Sequence, residues 1–176
     1  MRIHFEPEHR RGSAEEIRFI TVRAGLGHIV VAFSDAGIVS IILRAKPNGL
    51  LEELEDRFPA AHFVQGDADD ARSAAVVARF IESPQLGLDL PLDLRGTAFQ
   101  RRVWRAVQEI PFGDTSTYGE IARRIGAPHS ARAVGNACCR NYLAFAIPCH
   151  RVLRSDGSVS GNVDRQEALI AREKAH

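Results

Sequence analysis

Cys149 lies between Pro148 and His150 in the run Ile147-Pro148-Cys149-His150-Arg151-Val152, the stretch best equipped for nucleophilic chemistry. A free thiol, with a pKa of roughly 8.5, is a poor nucleophile at neutral pH until a neighbouring imidazole or helix dipole lowers that value. Pro148 fixes its own φ and biases Ile147 toward extended backbone, so Cys149 leaves the chain in one defined direction. Adjacent residues on an extended strand point to opposite faces, so Cys149 and His150 need a bent backbone before they can cooperate. Cys138 and Cys139 are adjacent and lack the C-x₂₋₄-C spacing that lets two thiolates share a tetrahedral ion. A metal centre built from Cys138, Cys139, Cys149 and His150 is therefore disfavoured. No metal is expected, and Cys138 and Cys139 read as core thiols on a helix. A cysteine hydrolase would need an oxyanion-hole motif and a distant catalytic histidine, and neither is evident. His4, His28, His62 and His129 read as surface or turn residues.

The elements that must position these groups lie just upstream. Gly96-Thr97 caps a helix from Ala98 to Ile110 whose core stripe is Phe99, Val103, Val107 and Ile110, with Trp104 beside it. Thr117-Tyr118-Gly119-Glu120 has the spacing of a capping box, predicting a helix from Tyr118 to Ile125 that stops at Gly126. Ser130 can cap a second helix from Ala131 to about Arg140, and the pair makes a helix-turn-helix pattern. The second helix, Ala131-Arg132-Ala133-Val134-Gly135-Asn136-Ala137, carries one arginine among small residues. A base-reading helix in the major groove normally carries several long polar side chains. Small residues permit close backbone approach, either to a partner or to a neighbouring helix. Asp156-Gly157, between Val152-Leu153-Arg154 and Ser158-Val159-Ser160, reads as the turn of a wing. Asp164 can cap a last helix from Arg165 to Ala175.

The N-terminal half carries less chemistry. Residues 1–16 read as a loose arm. Ile17 to Phe33 partly alternates around Gly25-Leu26-Gly27, and Ile38 to Leu43 follows a Ser34-Asp35-Ala36-Gly37 turn as a second β run. His62-Phe63-Val64 supplies a third strand. Amphipathic helices are predicted over Leu50–Phe58 and Asp70–Ser83. Pro84 to Arg95, with Pro84, Gly87 and Pro91, reads as a connector. The expected fold is α+β: a small α/β domain over residues 17–87 with a three-stranded sheet and helices, then a mainly helical, winged helix-turn-helix-like domain over 88–176.

Composition narrows the function classes. The chain has 176 residues, 45% hydrophobic and 26% charged, as in a globular domain and unlike a disordered segment. No apolar run approaches the roughly 20 residues of a membrane span. The first residues lack the apolar core of a signal peptide, and three cysteines suit a reducing compartment, so a cytoplasmic location is expected. Residues 1–90 hold 10 basic and 14 acidic side chains, a net of −4, whereas residues 91–176 hold 13 and 8, a net of +5. A basic C-terminal half is compatible with a polyanionic partner or with a solvated face.

Together, Arg132-Ala133-Val134-Gly135, Asn141, Ile147-Pro148-Cys149-His150-Arg151-Val152, Asp156-Gly157 and Glu173 resemble the signature of the methylated-DNA–protein-cysteine methyltransferases, the 6-O-alkylguanine-DNA alkyltransferases. Leu92-Asp93-Leu94-Arg95-Gly96-Thr97-Ala98-Phe99-Gln100 and Ile110-Pro111-Phe112-Gly113 are also similar to that family. The resemblance implies irreversible transfer of an alkyl group from guanine in duplex DNA to Cys149, without a cofactor, by a protein working as a monomer. It implies that His150 deprotonates Cys149 through a water, that Glu173 orients the imidazole and that Asn141 braces the turn. It also implies minor-groove binding, with Tyr118 helping to swing out the nucleotide and Arg132 filling the gap. Thr117, Ala131, Ala133, Gly135 and Arg151 would contact DNA, and Val159, Ser160, Gly161 and Asn162 would line the guanine pocket beside Tyr118.

One departure stands out. Where family members have a Tyr and a Gly-rich stretch after the glycine at position 161, this chain has Asn162-Val163-Asp164 and then the last helix. The shortened loop is expected to leave the pocket more open, with slower or less selective methylguanine transfer. The competing reading is a non-catalytic, alkyl-damage-sensing DNA-binding protein of the same fold, against which Cys149, His150, Asn141 and Glu173 all argue.

Overall fold

The computed structural model describes residues 3–4, 15–143, 145–159 and 163–174, and the chain divides into two compact units, Met1–Arg95 and Gly96–His176. In the first unit, β1 (Ile3–His4), β2 (Glu16–Ala24), β3 (Gly27–Ser34), β4 (Gly37–Arg44), β5 (His62–Gln65) and β6 (Leu92–Asp93) form one sheet in the order β1-β6-β4-β3-β2-β5. The three-stranded expectation is corrected: among the described residues the sheet has six strands. The run from Ile17 to Phe33 is two antiparallel strands with Val22 opposite Ile29, and β3 pairs with β4 as the Asp-Ala-Gly turn predicts. Two-residue strands contributed by residues 3–4 and by the supposed connector add parallel to that meander, and they are too short to show a period of two.

Close backbone contact explains why β6 belongs here. Ile38 donates to the Pro91 carbonyl at 2.9 Å, and a Cβ on Gly37 (φ 140) would lie 2.4 Å from that same oxygen, so only glycine fits. Arg95 then locks the segment. It forms a bidentate pair with Glu15 (2.6 and 2.6 Å), bonds Asp93 through Nε at 2.8 Å, and lies 5.8 Å over the Phe58 ring. The unit therefore runs through Arg95, past the connector expected to begin the second domain. Helix α1 (Leu50–Arg57) covers one sheet face, where Ile17, Val30, Ala32, Val39, Ile42, Leu50 and Leu54 form a cluster exposed by 2% or less. Helix α2 (Ala68–Glu82), capped by an Asp67–Asp70 box, lies along β2 and buries Ala74, Val77 and Ile81.

The second unit holds α3 (Ala98–Gln108), β7 (Ser116–Thr117), α4 (Tyr118–Arg124), α5 (Ala131–Cys139), β8 (Val152–Leu153) and α6 (Val163–Lys174). Reciprocal boxes start α3 (Thr97 with Gln100) and α4 (Thr117 with Glu120). α4 ends in a Schellman motif, Ala127 donating to the Ala122 carbonyl at 2.9 Å and Gly126 to Arg123 at 3.0 Å, with Gly126 at φ 72. Trp104 is a core residue, 1% exposed, whose indole donates to the Ala137 carbonyl at 2.9 Å and ties α3 to α5.

Three local expectations change. Ser130 precedes α5, but at ψ 22 its hydroxyl makes no capping bond. α6 begins at Val163, so Asp164 lies inside it. The Asp156 turn forms, its carboxylate accepting from Ser158 N at 2.9 Å, yet among the described residues β8 pairs in parallel with β7 and no strand follows the turn. No described helix is long and apolar enough to cross a membrane.

Candidate active site

The bend that Cys149 and His150 require is built into Pro148. At φ −79 and ψ 64, Pro148 is the centre of an inverse γ-turn, closed by Cys149 N donating to the Ile147 carbonyl at 2.8 Å. A single 3-10 turn over Cys149–Arg151 follows, with Arg151 N donating to the Pro148 carbonyl at 3.0 Å. Cys149 stays partly exposed while His150 turns inward and is 9% exposed. Just before this turn, Phe145 is the one described non-glycine residue at positive φ (69°), and it is buried. Left-handed backbone at a bulky residue costs about 1–3 kcal/mol and persists only where its surroundings enforce it. Sequence offered no sign of it, since Gly or Asn is the usual signal.

Asn141 enforces the loop from α5. Its Nδ2 donates to the Ile147 carbonyl at 2.8 Å and to Cys149 Sγ at 3.3 Å, and its Oδ1 accepts from Leu143 N at 2.9 Å. One amide thus ties the end of α5 to both the turn and the sulfur. Asn141→Ala is expected to strip three bonds and lower stability by about 2–3 kcal/mol, seen as a fall in thermal midpoint. Asn141→Asp keeps the Leu143 bond and should recover only part of that loss.

α6 brings Glu173 against the same turn, 7% exposed. His150 Nε2 lies 2.7 Å from Glu173 Oε1, while Arg151 Nε donates to Oε2 at 2.8 Å and Nη2 to Oε1 at 3.0 Å. Burial works to raise the Glu173 carboxyl, but the hydrogen bonds and charges of His150 and Arg151 overcome it and hold its pKa down to about 2. An ionised carboxylate only accepts, so Nε2 of His150 must carry the proton in that bond. In the neutral ring Nδ1 is then the free base.

Arg151, one of the expected DNA-contacting set, is engaged by its own unit. Its side chain is 11% exposed, and its guanidinium forks onto Glu173, donates through Nη1 to the Ile110 carbonyl at 2.8 Å and lies 5.6 Å over the Phe112 ring. The fork is committed inside the unit and not presented to a phosphate. A residue name cannot separate these uses, because Arg–carboxylate and Arg–phosphate pairing employ the same geometry.

The sulfur differs from the simple expectation too. The Cys149 thiol is held well above its ordinary range, first by a hydrogen bond with the Cys138 thiol and then by burial, with Asn141 pulling the other way. Cys149 is therefore a protonated thiol at rest, and it becomes nucleophilic as its proton leaves. Cys138 is only partly exposed and Cys139 is exposed, so neither is a plain core thiol.

The remaining candidates fall on α4, α5 and the region after β8. Arg132 and Ala133 are exposed on α5, Ala131 and Gly135 are half-buried, and Val134 and Ala137 point inward. Tyr118 opens α4, half-buried, with its ring 3.8 Å from where a Gly135 Cβ would sit. The Thr117 hydroxyl is the α4 cap, accepting from Glu120 N at 3.2 Å. Val159 is buried, whereas Ser160, Gly161 and Asn162 lie outside the described residues. Among the described residues no three His, Cys, Asp or Glu side chains group as metal ligands.

Comparison with known proteins gives the same grouping. Residues 98–175 match the family described as "6-O-methylguanine DNA methyltransferase, DNA binding domain". The chain is 41% identical over 160 residues to the bifunctional transcriptional activator/DNA repair enzyme Ada of Escherichia coli, covering 89% of this chain and 45% of Ada. It is 54% identical over 91 residues to the methylated-DNA–protein-cysteine methyltransferase of Mycolicibacterium paratuberculosis, covering 50% of this chain and 55% of that protein. The chain thus spans about half the length of these curated relatives. The crystal structure of Mycobacterium tuberculosis OGT in complex with DNA superposes with a TM-score of 0.72 at 33% identity, covering 91% of this chain and 93% of that one. With the Cys-His turn, the bracing asparagine and the helical carboxylate in place, this chain belongs to the 6-O-methylguanine-DNA methyltransferase family.

Proposed function

We propose that this protein repairs duplex DNA by moving an alkyl group from the 6-oxygen of guanine to Cys149, once per molecule. The observation that carries this reading is the Asn141–Cys149 contact beside a His150–Glu173 pair whose free base is Nδ1. The sulfur attacks the alkyl carbon, the carbon–oxygen bond breaks, and its electrons pass to the guanine ring system. The thiol proton leaves toward His150 Nδ1 through a water, and guanine regains a proton. Glu173 stabilises the ring as it becomes positive, the activated-nucleophile logic of a base oriented by a third group. The product is a thioether, so the protein is consumed.

The target carbon is inaccessible inside a stacked duplex, so the nucleotide must swing out at a cost of a few kcal/mol. In this reading α5 enters the minor groove, Arg132 occupies the vacated space, and Tyr118 crowds the flipped nucleotide. Ala131, Ala133 and Gly135 allow the approach, while Thr117 flanks it and Val159 borders the guanine pocket. The protein acts as a monomer, in a reducing cytoplasmic setting that keeps its thiols free. The Gly96–His176 unit carries the chemistry and the Met1–Arg95 unit supports it. The test is incubation with duplex DNA bearing a single 6-O-methylguanine. One methyl should appear on the Cys149 peptide by mass spectrometry, and an unmodified Cys149 would refute the assignment.

Gly135 provides an independent check of the groove. A Cβ there would meet Tyr118 ring carbons at 3.8 and 3.9 Å, ordinary contact distances, so the fold does not require glycine. Mid-helix glycine costs about 1 kcal/mol relative to alanine. Gly135→Ala should therefore raise the thermal midpoint while weakening duplex binding severalfold in a fluorescence anisotropy titration. Unchanged binding would remove the close-approach argument.

A further inference from the structure

Helix α5 is exposed along one arc, and the centre of that arc is a residue with no part in the alkyl transfer. Arg132, Ala133, Asn136, Cys139 and Arg140 are exposed, Val134 and Ala137 are buried, and Ala131, Gly135 and Cys138 lie half-buried between them. About 3.6 residues make a turn, so the five exposed positions fall within about 120° of the helix circumference, and Asn136 bisects that arc. Arg132 and Arg140 flank it about one turn to either side, and the helix carries no carboxylate. Asn141, nearby, commits its amide to Ile147, Leu143 and Cys149. Among the described residues the Asn136 side chain makes no hydrogen bond, nor do those of Arg132 and Arg140, whereas Arg101, Arg102 and Arg124 on the neighbouring helices donate to backbone carbonyls. Asparagine is also a poorer helix former than alanine, so α5 itself does not call for it.

We propose that Asn136 is a specificity residue, which reads the minor-groove edge of a base pair one or two steps from the flipped nucleotide and favours G·C over A·T. The inference rests on the proposed insertion of α5 into that groove. Asn136 lies about 6 Å along the helix axis from Arg132, at ~1.5 Å per residue, and successive base pairs are about 3.4 Å apart. The central residue of an inserted face reaches deepest, so its amide meets base edges before sugar or phosphate. In the minor groove A·T presents acceptors only, whereas G·C adds the N2 amino donor of guanine. A free carboxamide matches guanine with both of its polar atoms: Nδ2 donates to N3 and Oδ1 accepts from N2. Against A·T the Oδ1 atom meets no donor, and a desolvated acceptor without a partner weakens binding. Asparagine is among the side chains suited to this readout, while the flanking arginines are drawn to phosphates whatever the sequence between them.

The experiment uses the intact protein and two duplexes bearing one 6-O-methylguanine, the pairs one and two steps to either side being all G·C or all A·T. Single-turnover transfer over a range of protein concentrations gives a half-saturation concentration and a saturating rate for wild type, Asn136→Ala and Arg140→Gln. Stacking of the flanks differs between the duplexes, but that difference is common to all three proteins and cancels when they are compared. The A·T to G·C ratio of half-saturation concentrations should be about fivefold larger in wild type than in Asn136→Ala, the low end of what a bidentate amide contact discriminates. Saturating rates should agree within about twofold. Arg140→Gln should raise both half-saturation values alike and leave the ratio as in wild type, as loss of a charge beside a polyanion does. Asn136→Ala is expected to keep or raise the thermal midpoint, so a lost preference is not lost folding. Equal ratios in wild type and Asn136→Ala, or a ratio that Arg140→Gln alters as much, would overturn the inference and leave the repair reading standing. A wild type that accepts no methyl from either duplex would refute the repair reading and this inference with it.

Discussion

Cys149→Ala is expected to abolish alkyl transfer outright while leaving duplex binding within about twofold, because the sulfur lies on the turn after α5 and not on that helix's exposed face. Cys149→Ser is the more informative change. A hydroxyl is far harder to deprotonate than a thiol and its oxygen is the weaker nucleophile toward saturated carbon. Even with His150 and Glu173 intact, single-turnover transfer should fall at least about 10⁴-fold, equivalent to roughly 5.5 kcal/mol of barrier. Rapid-quench kinetics on methylated duplex, with binding measured in parallel by anisotropy, checks both halves. Transfer persisting in Cys149→Ala would place the acceptor elsewhere, with the free thiols of Cys138 and Cys139 as the alternatives.

Glu173→Gln should combine a folding defect with a kinetic one. Glutamine keeps a single acceptor oxygen where the carboxylate receives four bonds, at 2.7, 2.8 and 3.0 Å from His150 and Arg151 and at 3.4 Å from Gly113 N. It also leaves the largely buried Arg151 charge unpaired, and removing one partner of such a pair costs about 3–5 kcal/mol. Loss of the oriented base should slow transfer by about 10²–10³-fold, within the range of general base catalysis. The pH dependence separates the two effects. Glu173 titrates at about 2 in the folded chain against an ordinary value of 4.5, so its folded pKa is depressed. Its contribution is therefore fully present above pH 4.5 and is lost as pH falls from there toward about 2. Allowing for partial solvent screening, that contribution is about 2–3 kcal/mol. Acid unfolding of the wild type should steepen across this window, and Glu173→Gln should flatten it. An unchanged acid profile would show that the carboxylate is not held as the geometry indicates. Arg151→Lys keeps the charge but loses the fork. It should reproduce part of the stability loss with little effect on duplex binding, whereas a phosphate-contacting arginine would reduce the salt dependence of binding.

Much of this site was legible one residue at a time. Cys149 and His150 are adjacent and their need for a bend was readable, as was the fixed φ of Pro148, but that the bend sits at Pro148 was not. The helix cap at Thr97, the capping box at Thr117 and the stop at Gly126 were equally readable, because they depend on neighbours three or four positions apart. Glu173 and Asn141 were found by resemblance to a family, since nothing local links a residue on α6 to a turn 23 positions earlier.

The amino-acid sequence by itself determined the helices, the meander of β-strands and the identity of the candidate nucleophile and base, all set by short-range propensity and steric rules. Tertiary structure alone decided that Arg151 turns inward to Glu173, that the Asn141 amide reaches the Cys149 sulfur, and that Leu92-Asp93 joins a sheet begun far upstream. Hydrogen bonding, desolvation and ion pairing depend on distances across the folded chain, and the order of residues does not encode those distances locally.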